Sequence, residues 1–232
     1  MKKILLIINY PNIIHAKKIK DHFKDFAVDI CALKNTTPPS NLSKYDALII
    51  DSSLNAMQKN TIITNANFVA SVRCFSKSSK ILMINEIAKF SGTIVKESGI
   101  QKGIDTITHS DIEIEKIARI AYELSTDKSL LNIDNAGVLY SSNLWRKIIN
   151  EINEDYINVY REDINVEDIN YYISRESECN LLVEALNENL VIKSLLFNNY
   201  KLLSHYLCGE SSLKGHIISF SHLDENLLNL EL

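Results

Sequence analysis

Tyr45-Asp46-Ala47-Leu48-Ile49-Ile50-Asp51-Ser52-Ser53-Leu54-Asn55-Ala56 decides the fold class. Its apolar core is continuous rather than alternating, and it is too short for a helix. Runs of that kind belong to strands buried on both faces, as in a parallel sheet covered by helices on either side. Two small polar residues, Ser52 and Ser53, then punctuate the chain before a helix starting near Leu54.

The same strand-then-helix pattern recurs on both sides of this stretch. Upstream, Lys3 to Asn9 is a strand, Pro11 to Phe26 has helical periodicity with Pro11 suited to a first helical turn, and Ala27 to Leu33 is a second strand. Downstream, Ile81 to Ile84 precedes a helix from Glu86, Gly103 to Ile107 precedes Asp111 to Leu124, and Gly137 to Tyr140 precedes Asn143 to Ile152. Tyr156 to Tyr160 is read as a strand, Ser177 to Leu186 as a helix, Val191 to Phe197 as a strand, Tyr200 to Leu207 as a helix and His216 to Ser221 as a last strand. Alternating units of this type predict an α/β protein with parallel sheets flanked by helices, arranged as two flavodoxin-like or Rossmann-like lobes around a cleft. The Pro-rich stretch Lys34 to Ser40 and the polar region after Tyr160 are the two places where the chain could cross between lobes. That division puts 1–33 with 166–232 in a discontinuous first lobe and 41–156 in a second, with crossings at 34–40 and 157–165.

Composition narrows the function classes. Twenty-five Lys plus Arg against 29 Asp plus Glu leave a net charge of −4 over 232 residues, with no basic block, which excludes nucleic acid as the main partner. No apolar run approaches the ~18 residues of a membrane span, and the start from Met1 to Asn9 lacks a cleavage site, so a cytoplasmic, unprocessed protein is expected. The four cysteines show no CxxC and the six histidines no HExxH, so no metal site is signalled. With six glycines and no GxGxxG or GxxxxGK[ST], the usual phosphate-cradling loops are absent too.

Ligands of open parallel sheets bind beyond the carboxyl ends of the strands, where helix N-termini present free N–H groups. The residues at those ends are Asn9 and Tyr10, Ser52, Ser53 and Asn55, Asn85, Ser141 and Ser142, and Asn198 and Asn199. All but Tyr10 are small, polar and neutral, suited to hydrogen-bonding carboxylates. The same types are good helix caps, so their convergence on one edge, not any one of them, suggests a binding site. They include no nucleophile and base pair.

Several of these residues carry a family resemblance. Ile8-Asn9-Tyr10-Pro11, then Tyr45-Asp46-Ala47-Leu48-Ile49 with Ser53-Leu54-Asn55-Ala56, then Val159-Tyr160-Arg161 and Leu195-Leu196-Phe197-Asn198-Asn199, follow one another in an order and spacing that resembles uroporphyrinogen-III synthase. The departures are Tyr10 in place of Arg, Asn198-Asn199 in place of Thr-Ser, Ser141-Ser142 in place of Arg-Gly, and a short C-terminus. The resemblance implies a cofactor-free, monomeric lyase of heme biosynthesis that cyclises the linear tetrapyrrole hydroxymethylbilane, with a transient contact to hydroxymethylbilane synthase. It assigns Tyr160 as the catalytic hydrogen-bond donor to the departing hydroxyl. Arg161 and the strand-end residues would bind the substrate's carboxylates, largely by positioning. A catalytically degenerate relative, and a two-lobed binding or regulatory module of receiver-like βα units, are the alternative readings. A phosphoacceptor would need an acidic pair where Asn9-Tyr10 stands.

Overall fold

A computed structural model describes residues 1–34, 37–76, 80–87, 90–175, 179–187, 195–209 and 211–220. The chain forms two compact units, residues 1–83 with 199–232 and residues 84–198. The segment 34–40 falls within the first and 157–165 within the second.

Unit 1 is built on β1 (Lys3–Asn9), whose burial is complete from Ile4 to Ile8. β1 pairs in parallel with β2 (Ala27–Leu33) on one side and with β3 (Ala47–Asp51) on the other. β3 lies buried throughout, as its unbroken apolar run predicts. The chain between β1 and β2 is a 3-10 turn, Tyr10–His15, with Pro11 in its first turn, followed by the short helix α1 (Ala16–His22). Ile19 and Phe23 pack there on Ile4, Leu6 and Ile8. After β3 comes α2 (Ala56–Asn65), then β4 (Ala70–Ser76) and the first part of β5 (Lys80–Glu86), which carries the chain over the unit boundary at Met83.

Unit 2 contains the end of β5, a two-stranded antiparallel hairpin of β6 (Phe90–Glu97) and β7 (Ile100–Ile107), and α3 (Asp111–Glu123). It continues through β8 (Ser129–Asp134), α4 (Tyr140–Asn153), β9 (Arg161–Asn165), α5 (Ile169–Arg175) and β10 (Cys179–Val183). β8 lies between β10 and β9, parallel to both. Helix α3 buries Ile114, Ile117, Ala118, Ala121 and Tyr122 on one stripe, and α4 buries Ser142, Trp145, Ile149 and Ile152. The chain then returns to unit 1 as β11 (Lys201–Cys208) and β12 (Lys214–Ile218), where β12 pairs in parallel with β3 and β11 runs antiparallel to β12 and β4.

The architecture is α/β with mostly parallel sheets flanked by helices, as the sequence predicts. Several elements differ. Ser177 to Leu186 was expected as a helix, but Cys179–Val183 is strand β10, buried at all five positions. Tyr200 to Leu207 is strand β11 rather than a helix. Glu86 ends a strand and leads to the hairpin instead of starting a helix. In place of the strands expected at Gly137 to Tyr140 and Tyr156 to Tyr160, the chain turns into α4, which starts at Tyr140, and turns again before β9. In the expected strand Val191 to Phe197, residues 191–194 lie outside the described residues. Among the described residues no helix is long and apolar enough to cross a membrane.

Candidate functional site

Unit 1 gathers part of the expected strand-end set. The Asp51 carboxylate, fully buried, accepts from the Asn9 N–H at 3.0 Å, Asn12 Nδ2 at 2.7 Å and the Ser53 N–H at 2.8 Å. Ser53 Oγ accepts from Asn12 Nδ2 at 3.2 Å and Asn9 Nδ2 at 3.4 Å. The Ser52 carbonyl accepts from Lys59 Nζ at 2.6 Å. Asn55 caps α2 in a reciprocal box with Gln58, so Ser53-Leu54-Asn55-Ala56 is explained by helix capping. Tyr10 stands half-exposed in the 3-10 turn.

Unit 2 holds the more strongly charged interior. His109, between β7 and α3, has a side chain 1% exposed. Its Nδ1 lies 2.9 Å from Glu86 Oε2 and its Nε2 3.0 Å from Glu184 Oε1. Burial pushes the imidazole's pKa down, but hydrogen bonds and charge from Glu184 and Glu86 prevail and raise it to about 9. Ser142, in the first turn of α4, donates to the Glu184 carboxylate, with 2.8 and 2.7 Å to its two oxygens. One turn further along α4, Trp145 places its ring centroid 5.8 Å from that of His109 and donates Nε1–H to Asn132 Oδ1 at 2.9 Å.

A second network adjoins it. Asn132 Nδ2 donates to Asp134 and Asp163, both at 2.8 Å. Arg146 grips the fully buried Asp134 carboxylate with two nitrogens, at 3.0 and 2.5 Å, which raises its own pKa further. Arg161 bonds Asp163 at 3.0 Å and also Asn150. In the turn between β8 and α4, Asn135 Nδ2 donates to Asn187 Oδ1 at 2.7 Å, and the buried Asn187 Nδ2 meets no acceptor among the described residues.

The remaining expected site residues scatter. Asn85 is buried and donates to the Glu86 carbonyl. Ser141 is half-buried beside Ser142. Tyr160 is 65% exposed in the turn before β9, while Asn198 and Asn199 are exposed in the short helical segment Phe197–Asn199 before β11. Sequence reasoning missed Glu86, His109 and Glu184 as a group. They lie 23 and 75 residues apart, and no local spacing marks them.

The helix N-termini of unit 2 differ in what they could hold. That of α3 is capped by Ser110 and carries Asp111 and Glu113, which repel an anion. That of α4 has no side-chain cap and no acid in its first turn, and Gly137 just before it leaves open space where a side chain would stand. Among the described residues no group of three or more His, Cys, Asp or Glu side chains is placed to hold a metal ion.

Comparison with known proteins points away from the tetrapyrrole reading. Residues 78–190 match the family model described as isocitrate/isopropylmalate dehydrogenase. The chain is 47% identical over 72 residues to a 3-isopropylmalate dehydrogenase of Dehalococcoides mccartyi, covering 30% of this chain and 20% of that one. It is 41% identical over 69 residues to that of Thermotoga maritima, covering 29% and 20%. The match to that of Staphylococcus epidermidis is longer, 26% over 172 residues, covering 70% of this chain and 47% of that one. The chain thus spans between a fifth and a half of the length of the curated relatives it matches. These matches overturn the resemblance to uroporphyrinogen-III synthase and, with it, the lyase activity, the place in heme biosynthesis, the hydroxymethylbilane substrate and the contact with its synthase. The resemblance rested on short turns, one of which is a helix cap, whereas the chain's extended similarity is to the isocitrate and isopropylmalate dehydrogenases.

Proposed function

We propose that the chain carries out, or forms part of a protein that carries out, the oxidation of a malate-type 2-hydroxy acid with hydride transfer to a nicotinamide dinucleotide. The observation that supports this most is the coincidence of the matched segment, 78–190, with a compact unit of the fold, 84–198. The similarity therefore covers a packed βα body with its own buried polar interior rather than a stray motif.

The residues present suit the dinucleotide at one place. At the uncapped, non-acidic N-terminus of α4 the N–H groups of Tyr140 and Ser141 can donate to a pyrophosphate oxygen, and the unhindered Gly137 lets it approach. When bound, a nicotinamide dinucleotide supplies the hydride acceptor. The chain's own part is to hold the hydroxy acid. The half-buried Asn135 lies in the turn leading to α4, where its amide, held by the buried Asn187 Oδ1, can meet a polar group of the hydroxy acid. Asp134, locked by Arg146 and by the Ala136 N–H, keeps that turn in one shape. As the carbinol carbon gives up its hydride, the hydroxyl proton passes to solvent.

The test is dinucleotide reduction followed by absorbance, with 3-isopropylmalate and isocitrate each offered to the purified chain with NAD or NADP. Substrate-dependent reduction is the expected result. A folded chain that neither reduces nor binds either dinucleotide by calorimetry would sink the reading.

A further inference from the structure

Both ring nitrogens of His109 face a carboxylate, Glu86 on one side and Glu184 on the other. A neutral imidazole has only one N–H, so this geometry is satisfied only by the imidazolium. The two carboxylates are also the charges that act on it. From α4 the cluster meets neutral groups, Ser142 and Trp145. The nearby Asp134 and Arg146 are spent on each other, and Glu113 of α3 takes the Ser110 hydroxyl.

With His109 charged, the trio carries one net negative charge in nearly water-free space. Removing the proton leaves two buried carboxylates facing one ring N–H. An uncompensated buried charge of this kind is relieved by movement or solvent entry at the weakest neighbour. That neighbour is the first turn of α4. It has no side-chain cap, it opens on Tyr140 at 93% exposure, and it is tied to the cluster through Ser142 and Glu184.

We propose that Glu86, His109 and Glu184 form a buried proton-binding centre that holds the first turn of α4 in place through Ser142 and releases it when the proton leaves. The centre acts on the same turn of α4 that the proposed dinucleotide site uses, but it rests on the Glu86, His109 and Glu184 geometry and is tested without dinucleotide or substrate. The raised pKa of His109, about 9, puts the release in mildly alkaline solution.

Two signals test it in the intact chain. Trp145 is the only tryptophan, and an adjacent imidazolium quenches indole emission, so its fluorescence reports the state of His109. Chymotryptic cleavage after the exposed Tyr140, identified by fragment mass and corrected with a peptide of the same sequence, reports opening of the turn. Between about pH 7 and about pH 10, Trp145 emission should rise with a midpoint near 9, and cleavage should rise at least about fivefold alongside it. In Ser142→Ala the fluorescence titration should persist while cleavage is already fast at neutral pH and independent of pH. A flat Trp145 signal in a chain shown to be folded overturns the proposal. So does a fluorescence titration with no change in cleavage at Tyr140, or cleavage in Ser142→Ala that keeps the wild-type pH dependence.

Discussion

Asp51 shows how much one side chain organises. Its carboxylate has no exposed surface and, among the described residues, no cation bonded to it, yet three N–H donors from β1, from the turn after β1 and from its own loop converge on it. Hydrogen bonds to a charged acceptor are the strong ones, and here they fix the carboxyl ends of β1 and β3 relative to each other. Replacing Asp51 with Ala strands the Asn9 and Ser53 N–H groups as well as the Asn12 amide, at a cost of about 3 kcal/mol. Asp51→Asn keeps an acceptor oxygen and should cost less. Urea denaturation checks both, with the midpoint falling in that order and the slope unchanged; an alanine variant as stable as the parent would show that water replaces the carboxylate without loss. Asn9 and Ser53, expected to meet a ligand, spend hydrogen bonds on this internal network, in keeping with the capping role such residues play elsewhere.

Among the elements, α2 gives the clearest link from sequence to energy. Asn55 accepts from the Gln58 N–H at 2.9 Å while Gln58 accepts from the Asn55 N–H at 3.3 Å. Asn55→Ala should therefore lower stability by about 1 kcal/mol, seen as a drop in melting temperature, and Asn55→Ser should recover most of it. A loss shared equally by the Ser variant would place the effect elsewhere than the cap. The turn that makes this cap also supplied the mistaken tetrapyrrole likeness, because Ser, Asn and small residues before a helix have a local cause common to unrelated folds. β3 and α3 were legible because a continuous apolar run and a clean stripe with helical spacing each have one reading. Cys179-Asn180-Leu181-Leu182-Val183 was not, since a strand buried at every position shows no period that separates it from a buried helix. β11 failed for a related reason, being only partly buried over most of its length and on neither face consistently. The hairpin turn at Ser98 and Gly99, both with positive φ, is hidden in the sequence because the helix expected from Glu86 leaves no strand there for a turn to close. The charged trio escaped because contacts between β5, the β7–α3 loop and the residue after β10 exist only once the sheet has formed.

Across the whole molecule the histidines set opposite limits on stability. His109 gains charge partners on folding, so its contribution is complete below its unfolded pKa of about 6.5 and is lost as pH rises through about 9, roughly 3 kcal/mol in all. In unit 1 the signs reverse. Burial lowers the pKa of His205 to about 3, aided by the positive charge of Arg73 and Lys59, and burial with Lys214 lowers that of His216 to about 4. His205 Nε2 lies 2.8 Å from Ser71 Oγ, a contact made by the neutral ring. Once pH falls below about 6.5 the unfolded chain takes up protons that these two folded rings refuse, which removes up to roughly 3 kcal/mol per pH unit until their folded pKa values are reached. Stability should therefore peak near about pH 6.5 and fall on both sides, more steeply in acid. The two flanks belong to different units, so hydrogen exchange followed by mass spectrometry should show protection lost first in β4, β11 and β12 on acidification, and first around α4 and β8 in alkali. His216→Gln should roughly halve the slope of the acid flank, leaving the His205 share, and leave the alkaline one untouched. A stability profile level from about pH 5 to about pH 9 would mean that solvent reaches all three rings and that their burial does not govern their protonation.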